Sequence, residues 1–127
     1  MKFIFMLTFA LLIAVNSLGQ QKISQKEVYD KIIELGIQEP MIVLKQAIHE
    51  SGNFKSKATR DRNNIFGIRN GMMHFDSIFA CIEFYKRWQD NRYKGGNYFV
   101  FLRKIKYASD PRYKYKVNKV ELDFIIE

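Results

Sequence analysis

What most constrains this chain is how often it is punctuated by helix starts and stops. Ser24-Gln25-Lys26-Glu27 is a capping box, in which Ser24 caps and Glu27 reaches back. Ile23 and Val28 hold the flanking staple positions. Val28, Ile32 and Leu35 continue as a helical stripe, and Gly36 ends it. Pro40 suits the first turn of a second helix, carried by Val43, Leu44, Ala47 and Ile48 and stopped near Gly52. Residues 53–63 are polar and basic without periodicity, which predicts a loop. Asn70-Gly71 stands between two apolar stretches, the strongest short signal for a β-hairpin. Asp76 or Ser77 can cap a third helix with the stripe Ile78, Cys81, Ile82, Tyr85 and Trp88. Lys94-Gly95-Gly96 breaks the chain, and Asn97 opens a fourth helix with Phe101, Leu102 and Ile105. Asp110-Pro111 reads as a cap and first-turn proline for a last helix with Val117, Val120, Phe124 and Ile125. The expectation is a mainly α fold of about five short helices around one small hairpin, without repeats or linkers.

The first nineteen residues read differently. Lys2 precedes an apolar run from Phe3 to Val15 that only Thr8 interrupts, and Ser17 and Gly19 follow as small residues. That is the pattern of a secretory signal peptide cut between Gly19 and Gln20. The run is short for a membrane span, so no stable membrane insertion is expected after its removal. Residues 20–127 then form one domain, within the ~100–150 residues common for one. Cys81 is the chain's single cysteine, so no internal disulfide can form and packing must supply the stability. On its stripe it reads as a small buried hydrophobe rather than a catalytic thiol. The formal net charge of +8 suggests an anionic partner such as a wall polymer. Nucleic acid fits export badly, and no nucleic-acid-binding motif is present. His49 and His74 form no ligand cluster, so neither a metal nor another cofactor is expected.

Glu50 stands out by position. Val43, Ala47 and Glu50 fall on one helical stripe, so a carboxyl group continues an apolar face close to the helix end. Partial burial disfavours the charged form and raises a carboxyl pKa. A carboxylic acid kept protonated near neutral pH can donate to a leaving oxygen. On spacing alone, a surface glutamate at a frayed helix end accounts for the position better.

The motifs around it add to that reading. Ala47-Ile48-His49-Glu50-Ser51-Gly52-Asn53-Phe54 resembles the helix-ending Glu-Ser-Gly motif of lysozyme-like cell-wall hydrolases. Both the N-acetylglucosaminidases and the lytic transglycosylases carry that motif. Asn63-Asn64-Ile65-Phe66-Gly67-Ile68 is similar to the glucosaminidase block, and no transglycosylase Gly-Leu-Met-Gln block is present. Phe75-Asp76-Ser77 followed by Tyr85, Trp88 and Gln89, and then Tyr107-Ala108-Ser109-Asp110-Pro111 before Tyr113, resemble later glucosaminidase blocks in order.

The resemblance implies a lysozyme-like helical domain with a small hairpin lobe flanking a cleft. It implies cleavage of the β-1,4 bond after N-acetylglucosamine in peptidoglycan, with glycan strands as the partner and a monomer as the working unit. Glu50 matches the catalytic acid, Tyr107 a tyrosine in the cleft, and Asn64 and Phe66 a block beside the substrate groove. Glycosidases usually employ two carboxyl groups, and the segment Arg69–His74 contains no acid. Asp76 is the nearest candidate for the second, equally suited to capping a helix. Asp61 and Glu83 are weaker candidates. The substrate's own N-acetyl group can replace a second carboxylate, and the sequence leaves the choice open. A lytic transglycosylase and a non-catalytic glycan-binding protein on the same fold remain as alternatives.

Overall fold

The structure is a computed structural model that describes residues 22–127. The expected leader, residues 1–19, lies outside the described residues. Six helices follow one another. Helix α1 (Gln25–Glu34) opens on the expected capping box: Ser24 Oγ accepts the Glu27 N–H at 3.0 Å, and Glu27 Oε1 accepts the Ser24 N–H at 3.2 Å. It buries Val28 and Ile32. Gly36, at φ +68°, takes the left-handed turn that ends it, and Ile37 N–H closes back onto Ile32 C=O at 3.1 Å.

Helix α2 (Pro40–Glu50) is the central element. It packs on α1 on one side and on α6 (Tyr113–Asn118) on the other. Because it is sandwiched, it buries Val43, Leu44, Gln46, Ala47 and Ile48, more than one stripe of its surface. Helix α4 (Ile78–Arg92) adds Cys81, Ile82 and Tyr85 to the core and also touches α1. Cys81 is fully buried, and burial pushes its thiol up to about 11, so it packs as a small apolar group. Ser77 rather than Asp76 caps α4, its Oγ accepting the Ala80 N–H at 3.0 Å. Helix α5 (Tyr98–Lys104) starts at Asn97 as expected, with Asn97 Oδ1 accepting the Val100 N–H at 3.0 Å.

Three expectations are corrected. The loop predicted over 53–63 contains a short helix, α3 (Lys57–Arg62), capped by Ser56 through the Thr59 N–H. At six residues it is too short to show an apolar stripe. No β-hairpin lobe forms, and there is no strand among the described residues. Arg69, Asn70 and Gly71 all take positive φ, so the chain does reverse there. A long backbone bond crosses the turn, from Met73 N–H to Ile68 C=O at 3.4 Å, and Asn64 adds further bonds. Its Oδ1 accepts the Ile68 N–H at 3.0 Å, and its Nδ2 donates to Ile68 C=O at 2.9 Å and to Met73 C=O at 3.0 Å. A side chain therefore staples a turn where strands were expected.

The last helix is also shorter than expected. It begins at Tyr113 and ends at Asn118. Beyond it Val120, Leu122 and Phe124 are half-buried while Glu121, Asp123 and Ile125 are exposed, an alternation of period two that marks extended chain. This tail crosses back over α1, with the Phe124 ring 5.7 Å from that of Tyr29. Gln25 binds it: Oε1 accepts the Asp123 N–H at 2.9 Å while Nε2 donates to Asn53 Oδ1 at 3.0 Å.

Candidate active site

Glu50 is the last residue of α2 and faces a cleft of about 820 Å³. The chain turns sharply just after it. Gly52, Asn53 and Phe54 take φ +57°, +57° and +65° in succession. This left-handed run is held by Ser51, which is fully buried and whose Oγ accepts the Phe54 N–H at 2.8 Å. Further bonds run from Asn53 N–H to Ile48 C=O (2.8 Å) and from Ser56 N–H to Ser51 C=O (2.9 Å). Strained backbone of this kind persists only where its surroundings over-determine it, and here it exposes the end of α2 to the cleft.

Burial raises the Glu50 carboxyl above the ordinary carboxylate range, while the charge of His49 and a hydrogen-bonding interaction with Tyr113 act in the opposite direction. Gly67 closes one side. It sits at φ +67°, and a Cβ at this position would stand 3.2 Å from Glu50 Oε2. The backbone thus favours glycine there, and a Cβ would crowd the Glu50 carboxyl.

The far wall is aromatic. Tyr107 donates its hydroxyl to Phe66 C=O at 3.1 Å, and its ring lies 5.7 Å from that of Trp88 and 6.0 Å from that of Tyr113. Burial, with Tyr113 and Glu50 nearby, holds the Tyr107 phenol well above its usual value, so it stays neutral. Phe66 is buried and stacks at 4.3 Å on Tyr85. Trp88 is half-buried and reaches the cleft as well. Two arginines line the cleft, Arg69 from the turn after Gly67 and Arg92 from the end of α4. Of the basic residues in the 53–69 segment, Arg69 alone lines it.

The structure therefore brings Glu50, Tyr107 and Phe66 together. It does not bring Asn64, which is buried with its whole amide committed to the Ile68–Met73 turn. Asp76 stands exposed beside the α4 cap and is not among the cleft-lining residues. Asp61 pairs loosely with Lys57 at 3.9 Å, and Glu83 with Lys31 at 3.8 Å, both away from the cleft lining. Besides Glu50, the acid that lines the cleft is Asp110, whose carboxylate Lys116 and the Arg112 N–H hold below its usual value. Among the described residues no group of three His, Cys, Asp or Glu side chains could hold a metal.

Sequence reasoning missed three residues here. His49, considered in the sequence only as a metal ligand, lines the cleft and meets Tyr113 edge-on at 5.8 Å. Gln46 is fully buried, its amide bonded to Tyr85 and Tyr113. Tyr113 itself accepts from Gln46 and lines the cleft with Glu50. The available signal was that Gln46 precedes Glu50 by four residues and so shares its helix face.

The family described as mannosyl-glycoprotein endo-beta-N-acetylglucosaminidase matches residues 25–123, nearly all of the described chain. The chain belongs to this glucosaminidase family. No curated protein and no solved structure gave a match. Membership makes a glycan the substrate class and glycoside hydrolysis the chemistry of a glucosaminidase such as this one. The match spans the Glu50 helix end, the Gly67 turn and the Tyr107–Tyr113 segment, the three elements that meet at the cleft.

Proposed function

We propose that this glucosaminidase hydrolyses the β-1,4 bond after N-acetylglucosamine in peptidoglycan, with Glu50 as general acid. The observation that carries this reading is a carboxyl group raised by burial at the end of α2, facing an aromatic- and arginine-lined cleft. Glu50 gives its proton to the glycosidic oxygen as the bond to the anomeric carbon breaks, and the leaving sugar departs as an alcohol. Tyr107 and Trp88 offer ring faces and edges to the sugar. Arg69 and Arg92 offer charge to the acidic groups of the polymer.

One observation favours substrate assistance in place of a second carboxylate. The other acid in the cleft, Asp110, is engaged by Lys116 and by the Arg112 N–H, and Asp76 faces solvent away from it. The substrate's N-acetyl oxygen attacks the anomeric carbon as the protonated leaving oxygen departs, and water then displaces it from that carbon, giving up a proton to Glu50. The leader pattern of residues 1–19 supports work outside the cytoplasm, in the periplasm or beyond.

The test is digestion of purified peptidoglycan by wild type and Glu50→Gln side by side. Fragments with reducing N-acetylglucosamine ends from wild type, and at least a thousandfold less from Glu50→Gln, support the reading; a general acid alone contributes about 10²–10⁴-fold. Anhydro ends would make the protein a lytic transglycosylase. A folded wild type that sediments with the polymer and releases nothing would make it a glycan-binding protein.

A further inference from the structure

The polar groups buried in the core are aligned in one direction. The backbone N–H of Gln38 donates to Gln89 Oε1 at 2.8 Å, and Gln89 Nε2 donates to Gln38 C=O at 2.9 Å. A backbone N–H can only donate, so it fixes which way the Gln89 amide is turned. Gln89 Nε2 then spends its second proton on the Tyr98 hydroxyl at 3.0 Å. Tyr98 accepts there, so its single proton goes to the Tyr85 hydroxyl, 2.6 Å away. Tyr85 in turn donates to Gln46 Oε1 at 2.7 Å, and Gln46 Nε2 donates to the Tyr113 hydroxyl at 3.1 Å. Tyr113 has one proton left; its ring meets that of His49, the neighbour of Glu50, edge-on at 5.8 Å, and Tyr113 and Glu50 line the same cleft. Gln89 and Gln46 are both fully buried, and no buried side-chain nitrogen or oxygen among the described residues lacks a partner.

We propose that Gln89, Tyr98, Tyr85 and Gln46 are positioning residues for Glu50: anchored on the Gln38 backbone, they form a one-way hydrogen-bond chain that leaves the Tyr113 proton on the cleft side, to be given to the Glu50 carboxyl. The proposal rests on the reading of Glu50 as the acid. A donor aimed at a carboxyl group favours its ionised form, which Glu50 becomes as it gives up its proton. The donor is in place before the charge develops, the arrangement that lowers a barrier most effectively. Run backwards, the same atoms would have Tyr113 donate to Gln46 and offer Glu50 a lone pair. That would favour the protonated acid and oppose proton transfer. Each bond in such a chain also polarises the next. The other groups that share the cleft with Glu50 are His49 on its own helix, Arg69, Arg92, Tyr107 and Asp110. None of them belongs to the chain, so they are common to every variant below.

The experiment is a ¹³C NMR titration of the Glu50 carboxyl in wild type, Tyr85→Phe and Tyr113→Phe, paired with the pH dependence of kcat. The titration needs no turnover. Both variants are expected to move the Glu50 midpoint to higher pH, since each deprives the carboxylate of its donor. The double variant moves it no further than Tyr113→Phe alone. The basic limb of the kcat profile follows the midpoint, and Tyr113→Phe loses roughly ten- to a hundredfold in kcat where Glu50 is protonated. A purely structural role would lower the melting temperature or kcat and leave the midpoint in place. An unmoved midpoint in a folded Tyr85→Phe overturns the proposal. If that variant does not fold, wild type decides: the Gln46 side-chain amide signals must shift with the Glu50 midpoint, and flat signals overturn the chain. Shifted midpoints in a protein that cleaves no glycan would sink the glycosidase reading and leave the chain standing.

Discussion

At the scale of single residues, Glu50 was legible and its supporting groups were not. A carboxyl group on an apolar stripe is visible in local spacing, because helix periodicity alone puts it beside Val43 and Ala47. Gln46 gives no local sign of burial, because it sits next to Lys45 and nothing nearby in the chain shows what would bury it. Its partners come from 39 and 67 residues further along, Tyr85 and Tyr113, and only the fold brings them in. Glu50 also carries a pH signature of its own. Burial holds its folded pKa above the unfolded value. Its contribution to stability is therefore intact below the ordinary carboxylate range and is lost as pH rises through the raised value. Glu50→Gln removes that penalty. Its melting temperature should exceed that of wild type by a few degrees at neutral pH, and the gap should close in acid. A gap that is absent, or constant with pH, would show that the carboxyl is as well solvated folded as unfolded.

At the scale of elements, α1, α4 and α5 were read well from the side chains that cap them, whereas α3, capped by Ser56, was too short to be read. Ser24, Ser77 and Asn97 each accept a backbone N–H within the first turn, a bond that needs only three or four consecutive residues and so is written locally. The hairpin failed for the opposite reason. Asn70-Gly71 does supply left-handed residues, but whether strands or a side-chain staple follows depends on Asn64, outside the turn itself. The turn that ends α2 also depends on one side chain. Ser51 Oγ holds Phe54 in its left-handed conformation, and no water can replace a hydroxyl with zero exposure at no cost. Ser51→Ala should therefore lose about 1–3 kcal/mol in urea denaturation. Because the turn aims Glu50, turnover should fall in the same variant even at temperatures where it is fully folded. Unchanged stability and unchanged turnover together would show that the turn is set by its backbone bonds alone.

At the scale of the whole molecule, charge was legible and its placement was not. The sequence carries a formal net charge of +8. Among the described residues every ion pair uses a lysine, so none of the arginines is neutralised by a partner. Attraction to an acidic polymer should then fade as salt shortens the Debye length from about 10 Å at 0.1 M to about 3 Å at 1 M. Sedimentation with peptidoglycan should drop several-fold over that range, and retention at high salt would assign binding to neutral sugar contacts instead. No helix of the described residues is long and apolar enough to cross a membrane.

Gln25 gives the molecule one more property. A single amide fastens the first residue of the first helix to the tail at Asp123, 98 positions away. The two ends of the fold therefore leave from one spot on its surface, as in domains that tolerate insertion and circular permutation. Such a unit can be spliced into another polypeptide, or hung on a targeting module, through a single short junction that does not disturb the cleft.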